Sequence, residues 1–288
     1  MSVNSQPTWF RWRPRHTTAR SSLGSRVAVL ALLGIGIAWL IPFLWVLSVS
    51  VRPETTPIAV GSRWFAGEFS FDSYLSAWAK LAGSYVNTLV IVFGTLAVQL
   101  VTVTLAGFAF ARLRVPAGRL IFILMLGQIM IPSAALVVPN FVIIRTLGLY
   151  DNLLAVMVLY FGSAFGTFIM RQAFRQIPRE LEEAAVIDGA GVLTLIRSVY
   201  LPGAWPALIA FSFASIAYHW NDFLWPFMVT TESTSPLSVR LSLIATTEGG
   251  IVWTELAAAT MITVLAPLIL FVVFQRYFIN GALASGIK

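Results

Sequence analysis

Cysteine is missing altogether from the 288 residues, and histidine occurs only as His16 and His219. Without cysteine there is no disulfide framework, thiolate metal cluster or thiol nucleophile. Two histidines and no H-E-x-x-H leave a zinc site or a catalytic triad hard to build, so no metal and no catalytic residue is expected. Lysine is scarcer than arginine by far: Lys80 and Lys288 are the only two, and neither follows glycine in a G-x-x-x-x-G-K-[ST] phosphate loop. The chain is therefore expected to bind no nucleotide or other cofactor of its own, and not to be an enzyme. Charge is low as well, 11% against the roughly 25% usual in soluble domains.

What fills the chain is apolar surface: 58% of residues are hydrophobic, and the mean hydropathy is +0.83. Uncharged runs separate widely spaced arginines. Since roughly 20 apolar residues at about 1.5 Å each cross a hydrocarbon core of about 30 Å, they predict six helical spans. These fall at about 27–51, 85–111, 120–144, 152–170, 204–229 and 254–275. The fold class is all-α, a polytopic membrane protein. A transmembrane β-barrel would show segments of about ten residues with alternating polarity, which are absent. Residues 1–26 read as a basic tail and 27–288 as one membrane domain, with no internal repeat of the kind that marks inverted-repeat carriers.

Basic residues fix the expected orientation. With the N-terminus inside, the inner segments hold Arg11, Arg13, Arg15, Arg20, Arg26, Arg112, Arg114, Arg119, Arg171, Arg175, Arg179, Arg197, Arg276 and Lys288. Only Arg52, Arg63, Lys80, Arg145 and Arg240 are left outside. Both termini are thus expected in the cytoplasm, with the chain in a bacterial inner membrane. The net charge of +7 follows the span ends and does not point to nucleic acid. The 27–51 run is longer than a signal h-region and lacks a small-x-small cleavage site, so no cleaved signal is expected.

The largest inner loop, 178–203, departs most from the membrane pattern: "EEAAVIDGAGVLTLIRSVYLPG" occupies 182–203. Pro178 precedes Arg179-Glu180-Leu181-Glu182-Glu183, a favourable helix start with carboxylates near the positive end of the dipole. Gly189 is expected to stop that helix. A second short helix, about Val192–Tyr200, is expected to end at Leu201-Pro202, which forms the joint to the next span. Ala185 and Gly189 give a corner without bulky side chains, where another backbone can come close. From these features alone, an amphipathic connector with acids capping a helix explains the loop as well as a docking element does.

The spacing of Glu183-Ala184-Ala185, Gly189 and Val199-Tyr200-Leu201-Pro202 resembles the EAA loop of ABC importer permeases, with valine at the usual isoleucine position. "YHWNDFLWPFMV" (218–229), "FAFARLRVPAGR" (108–119) and "QRYFINGALASGIK" (275–288) are similar to carbohydrate-uptake permeases, in particular the smaller permease type of maltose importers. The resemblance runs from about Val27 to the C-terminus. It implies that Glu183, Ala184, Ala185, Gly189, Leu201 and Pro202 form a coupling helix docked on a separate ATP-hydrolysing subunit. ATP and Mg would sit on that partner. It further implies a second permease, two ATP-binding subunits, an external solute-binding protein and a sugar-like substrate. The 231–250 region would reach the binding protein, and Arg276–Lys288 would reach the ATPases.

Polar residues within spans are the candidates for substrate contact, because lipid makes them costly. His219, Asn221 and Asp222 stand out with Trp220 and Trp225 beside them, near the outer end of the fifth span. Aromatic faces and hydrogen-bonding groups suit a sugar. An interfacial tryptophan belt with Asn221 and Asp222 capping a helix explains the same residues, and is favoured. Asn87, Gln99, Gln128 and Asn140 read as bonds to other helices. A proton-coupled carrier using His219 and Asp222 is the alternative function; it would have no use for the loop.

Overall fold

The computed structural model describes residues 23–55, 64, 68–245 and 250–286, with side chains to Gln275. All regular structure among the described residues is helical. Most of the basic tail and part of the 231–250 region lie outside the described residues, as do the side chains of Arg276–Lys288.

The chain divides at Trp45 into two compact units, residues 1–45 and 46–288. The first contains most of α1 (Leu23–Ser50), whose apolar side chains over residues 24–44 are exposed on every face, Leu30 at 68% and Trp39 at 73% among them. An all-round apolar helix of this kind suits a lipid environment.

The second unit is organised on α2 (Asp72–Arg112), whose 41 residues extend roughly 60 Å. That is about twice a hydrocarbon core, and the helix begins well before the expected start at 85. Its buried stripe, including Ala77, Ser84, Thr88, Thr95, Gln99, Val103 and Gly107, is rich in small residues. Small side chains let neighbouring helices approach closely. A Cβ placed on Gly107 would lie 2.7 Å from Met170 Cβ, and one on Gly166 would lie 2.5 Å from the Phe211 ring. Both glycines are required by packing.

Among the described residues three helices are long and apolar enough to cross a membrane: α1, α2 and residues Trp253–Gln275 of α13 (Trp253–Gly286). The count reaches six only if three bent pairs are each taken as one span. The expected uninterrupted span 120–144 is broken. α3 (Gly118–Gln128) stops, a 3-10 turn covers Ser133–Leu136, and α4 (Val137–Thr146) leaves at 98°. Pro132 explains the break, since it offers no N–H and disfavours helical geometry at Ile131.

The expected span 152–170 is likewise broken. α5 (Leu153–Met157) continues as a 3-10 turn to Tyr160, and α6 (Ala164–Gln176) resumes at 42°. Side chains of α2 satisfy the freed carbonyls: Gln99 Nε2 donates to Tyr160 O at 2.7 Å, and Thr102 Oγ1 to Phe161 O at 2.7 Å. Ser163 Oγ caps α6 by accepting from the Gly166 N–H at 3.0 Å. Irregular backbone at membrane depth needs such partners.

The 178–203 loop holds α7 (Arg179–Ile187), α8 (Val192–Leu195), a π turn (Ile196–Tyr200) and α9 (Leu201–Gly203). Leu201-Pro202 does not end the helix as expected. The wide π turn carries the backbone through Pro202, and the break comes at Ala204. There the axis turns by 81° into α10 (Trp205–Asn221). The expected fifth span ends at Asn221, because Asp222 is extended and α11 (Leu224–Val229) is a separate short helix. α12 (Leu237–Ala245) follows, packing Leu237 beside Ala77, Leu81, Trp220 and Ala258.

Candidate functional site: a docking loop and a polar cavity

The loop presents its sequence motif in two directions. Glu183, Ala184 and Gly189 are exposed, whereas Ala185 and Leu201 pack against the buried cluster of Phe108, Phe174 and Tyr200. Gly189 has φ +81, and a Cβ there would meet nothing within 4 Å. The glycine is therefore required by backbone geometry and not by crowding within this chain. Gly189 N–H bonds Val186 O at 2.9 Å and Ala190 N–H bonds Ala185 O at 2.9 Å, the paired bonds of a Schellman stop. So Gly189 does stop the helix, by a specific turn. The exposed face also carries large apolar side chains that the motif does not include, Ile187 at 84% and Leu193 at 74% exposure. Apolar residues flanking a glycine stop were the available signal for them. Pro202 is exposed at the start of α9.

The second feature is a cavity of about 660 Å³ between the broken helices. His219, Asp222 and Trp225 line it, but Trp220 and Asn221 do not. Trp220 is buried elsewhere, edge-on to Tyr85 at 6.0 Å, with Nε1 donating to Thr263 O at 3.3 Å. Asn221 Nδ2 donates back to Ala217 O at 2.8 Å. Adjacent positions of a helix point about 100° apart, so Trp220 and Asn221 turn away from the side that His219 and Asp222, three residues apart, share. Gln99, Gln128 and Asn140, read from sequence as helix-to-helix bonds, all border the cavity; Asn87 does not, and holds Ser233 O and Ser235 O instead.

Polar groups at the cavity form one connected set. Tyr160 Oη donates to Asp222 Oδ2 at 2.9 Å, and Ser215 Oγ donates to Gln99 Oε1 at 2.5 Å. Gln99 Nε2 lies 3.4 Å from His219 Nε2. The Tyr160 ring is 4.7 Å from the His219 ring and 5.8 Å from that of Tyr218. Trp225 borders the space with its indole N–H bonded to Ala155 O at 3.1 Å. Tyr160, Ser163, Ser215 and Tyr218 were not singled out in the sequence, since hydroxyls are common in spans and the helix breaks that gather them are not visible there. Among the described residues no cluster of three or more His, Asp or Glu could hold a metal.

On the opposite end from the loop, Asp151 gathers the 230–235 turn. Its Oδ1 accepts from Thr231 N at 2.9 Å, Thr231 Oγ1 at 2.8 Å and Thr234 Oγ1. The Thr234 hydroxyl, then the Thr231 amide and hydroxyl, hold this carboxyl below the usual range.

An all-helical bundle with broken spans, a polar cavity and a glycine-stopped exposed loop defines a membrane transport component. The chain belongs to the family of binding-protein-dependent transport system inner membrane components, whose model matches residues 103–282. It is 30% identical over 207 residues to the sn-glycerol-3-phosphate transport system permease protein UgpE of Yersinia pestis, covering 71% of this chain and 72% of that one. It is 27% identical over 290 residues to the osmoprotective compounds uptake permease protein GgtD of a Synechocystis species, covering 96% and 97%. The fold is similar to that of a bacterial ABC transporter chain involved in alginate import, with TM-score 0.77, 24% identity, and coverage of 90% and 98%. It is a permease component of an ABC importer, which sets aside the proton-coupled carrier.

Proposed function

We propose that this chain forms, with a second related permease, the translocation path of an ATP-driven importer for a sugar or sugar-like solute. A solute-binding protein delivers the cargo from outside, and two partner subunits hold the ATP and Mg. The observation that carries this reading is the exposed loop. Glu183, Ala184 and Gly189 sit with Ile187 and Leu193 on a short helix pair stopped by a Schellman turn. An apolar ledge flanked by the exposed carboxylates of Glu180, Glu183 and Asp188, rigidly terminated, suits a cleft on a partner.

Glu183, Ala184, Ala185, Gly189, Leu201 and Pro202 act at this junction with different tasks. Glu183, Ala184 and Gly189 meet the partner, while Ala185 and Leu201 fasten the loop to its own core. The loop faces the cytoplasm with both termini, as the arginine distribution requires.

The sugar-like cargo is supported by the cavity, whose aromatic rings and hydrogen-bonding groups match C–H faces and hydroxyls. Relatives named for glycerol-3-phosphate and osmoprotective compounds accord with small polar solutes. Within the cavity His219, Asp222, Tyr160 and Tyr218 are the contact residues; Trp220 and Asn221 serve helix packing. The test is reconstitution in liposomes with internal ATP. Uptake is expected only when the permease partner, the ATP-binding subunits and the binding protein are all present. ATP-dependent uptake by this chain alone would refute the reading.

A further inference from the structure

Behind the exposed loop lies a polar joint that neither the motif nor the family assignment accounts for. It is centred on Arg112, the last residue of α2, whose side chain is only 6% exposed. Arg112 Nη2 donates to Phe174 O at 2.8 Å and to Ile177 O at 2.5 Å, at the end of α6. A guanidinium there satisfies carbonyls that a helix terminus leaves open, and complements the negative end of the dipole. The same guanidinium lies 3.8 Å from Glu182 Oε2 and 5.2 Å above the Tyr200 ring centroid. Tyr200 Oη in turn donates to Glu182 Oε2 at 2.5 Å. The Tyr200 ring is fully buried, edge-on to Phe108 of α2 at 5.1 Å and Phe174 of α6 at 5.4 Å.

One charged group thus meets four elements: the end of α2, the end of α6, α7 through Glu182, and the π turn through Tyr200. Glu182 is the neighbour of the motif's Glu183 and faces the other way, into the chain. We infer that Arg112, Glu182 and Tyr200 are the joint that makes the loop, α2 and α6 move as one body, so that a displacement of the loop reaches the cavity through α2. Thirteen residues separate Arg112 from Gln99, roughly 20 Å along an unbroken helix. Gln99 lines the cavity and holds Tyr160 O at the break before α6. The backbone route through α9 and α10 changes direction by 81° at Ala204. The straight route is α2. These are positioning residues: they touch neither ATP nor cargo.

This inference rests on the importer reading, and its test separates the two. The chain has no cysteine, so Glu180→Cys on α7 and Leu105→Cys on α2 are its only labelling sites; the double-cysteine chain is spin-labelled before it is combined with its partners. In the purified complete complex, the interlabel distance is measured without nucleotide and with Mg and a non-hydrolysable ATP analogue, the binding protein being present. The parent is expected to keep one narrow distance in both states. Tyr200→Phe and Glu182→Gln leave the Arg112 carbonyl bonds intact, yet should broaden the distance and make it depend on nucleotide, while the ATP-binding subunits still co-purify. An unchanged narrow distance in both variants, or a nucleotide-dependent distance in the parent, overturns the joint. Failure of any ATP-binding subunit to co-purify with the parent refutes the importer reading instead. The joint is then decided on the chain alone: the Glu180→Cys label must become more mobile in both variants, and equal mobility refutes it.

Discussion

Gly189 offers a way to separate what the loop needs for its own shape from what it needs for a partner. At φ +81 a side chain costs about 1–2 kcal/mol of backbone strain, whatever its size. A Cβ there meets nothing within 4 Å in this chain, so no second term arises from crowding. Alanine and leucine should therefore destabilise the isolated chain alike, and asparagine, which tolerates left-handed geometry, should cost least.

Docking breaks that equality. If a partner backbone closes on this corner, leucine overpacks the contact by a further 1–3 kcal/mol or so, and alanine adds much less. That difference corresponds to a roughly 5- to 150-fold additional loss of association. The assay is membrane abundance of Gly189→Asn, Gly189→Ala and Gly189→Leu, followed by retention of the ATP-binding subunit on the affinity-captured permease. Abundance should be close for alanine and leucine, and retention should fall in the order Asn, Ala, Leu. If leucine retains the subunit as well as alanine does, no partner sits at this corner and the docking argument fails.

Three further outcomes are expected. Gly166→Val, which must displace Phe211 and Val103 where even a Cβ approaches them to 2.5 and 2.7 Å, should destabilise the bundle by about 1–3 kcal/mol in a detergent thermal-melt assay. Unchanged melting would show that the helices are free to separate there. Trp220→Ala should lower membrane abundance and leave cargo preference unaltered in uptake competition, whereas Tyr218→Ala should alter preference; the reverse pattern would move the cargo path to the other side of α10. Hydrogen bonds from Thr234 and Thr231 depress the Asp151 carboxyl, so its contribution is complete above the unfolded carboxylate value and is lost as pH falls through the lower folded one. Limited proteolysis of the 230–235 turn should therefore be unchanged from neutral pH down to the usual carboxylate range and accelerate only below it. Acceleration already near pH 6 would refute that assignment.

The features legible in the sequence are those set by local chemistry. Uncharged runs between arginines coincide with the long apolar helices α1, α2 and α13, because lipid excludes charge over a fixed thickness whatever the packing. The glycine stop at Gly189 was legible because few other residues hold a positive φ. Breaks inside spans were not. "GQIMIPSAAL" (127–136) reads as uninterrupted apolar helix except for Pro132, and membrane helices tolerate proline when neighbours satisfy the freed backbone. The deciding groups for the second break, Gln99 and Thr102, sit on a different helix, far away in sequence. One part of the cavity follows from helical spacing: His219 and Asp222 are three apart, which places them on one side, and both line the space while Trp220 and Asn221 do not.

Glu182 and Glu183 show how far a one-residue difference carries. On a helix, adjacent positions are about 100° apart, so two neighbouring carboxylates need not share a task. Glu183 is exposed, and Glu182 turns to Tyr200 and Arg112. A motif read as a string assigns the function to the first face and leaves the second unexplained. Yet an exposed ledge transmits nothing unless its opposite face is fixed to the moving helices. A force applied at Glu183 reaches the cavity only if α7 cannot rotate or slide on its own core. The partly buried contacts of α7 that oppose this are Ala185, a single methyl, and the charged joint at Glu182. A methyl contact resists approach but not sliding, whereas directional bonds from Tyr200 to Glu182 and from Arg112 to two α6 carbonyls resist both. Under the proposed docking, the inward carboxylate is as much a part of the coupling device as the outward one, although only the outward one belongs to the motif.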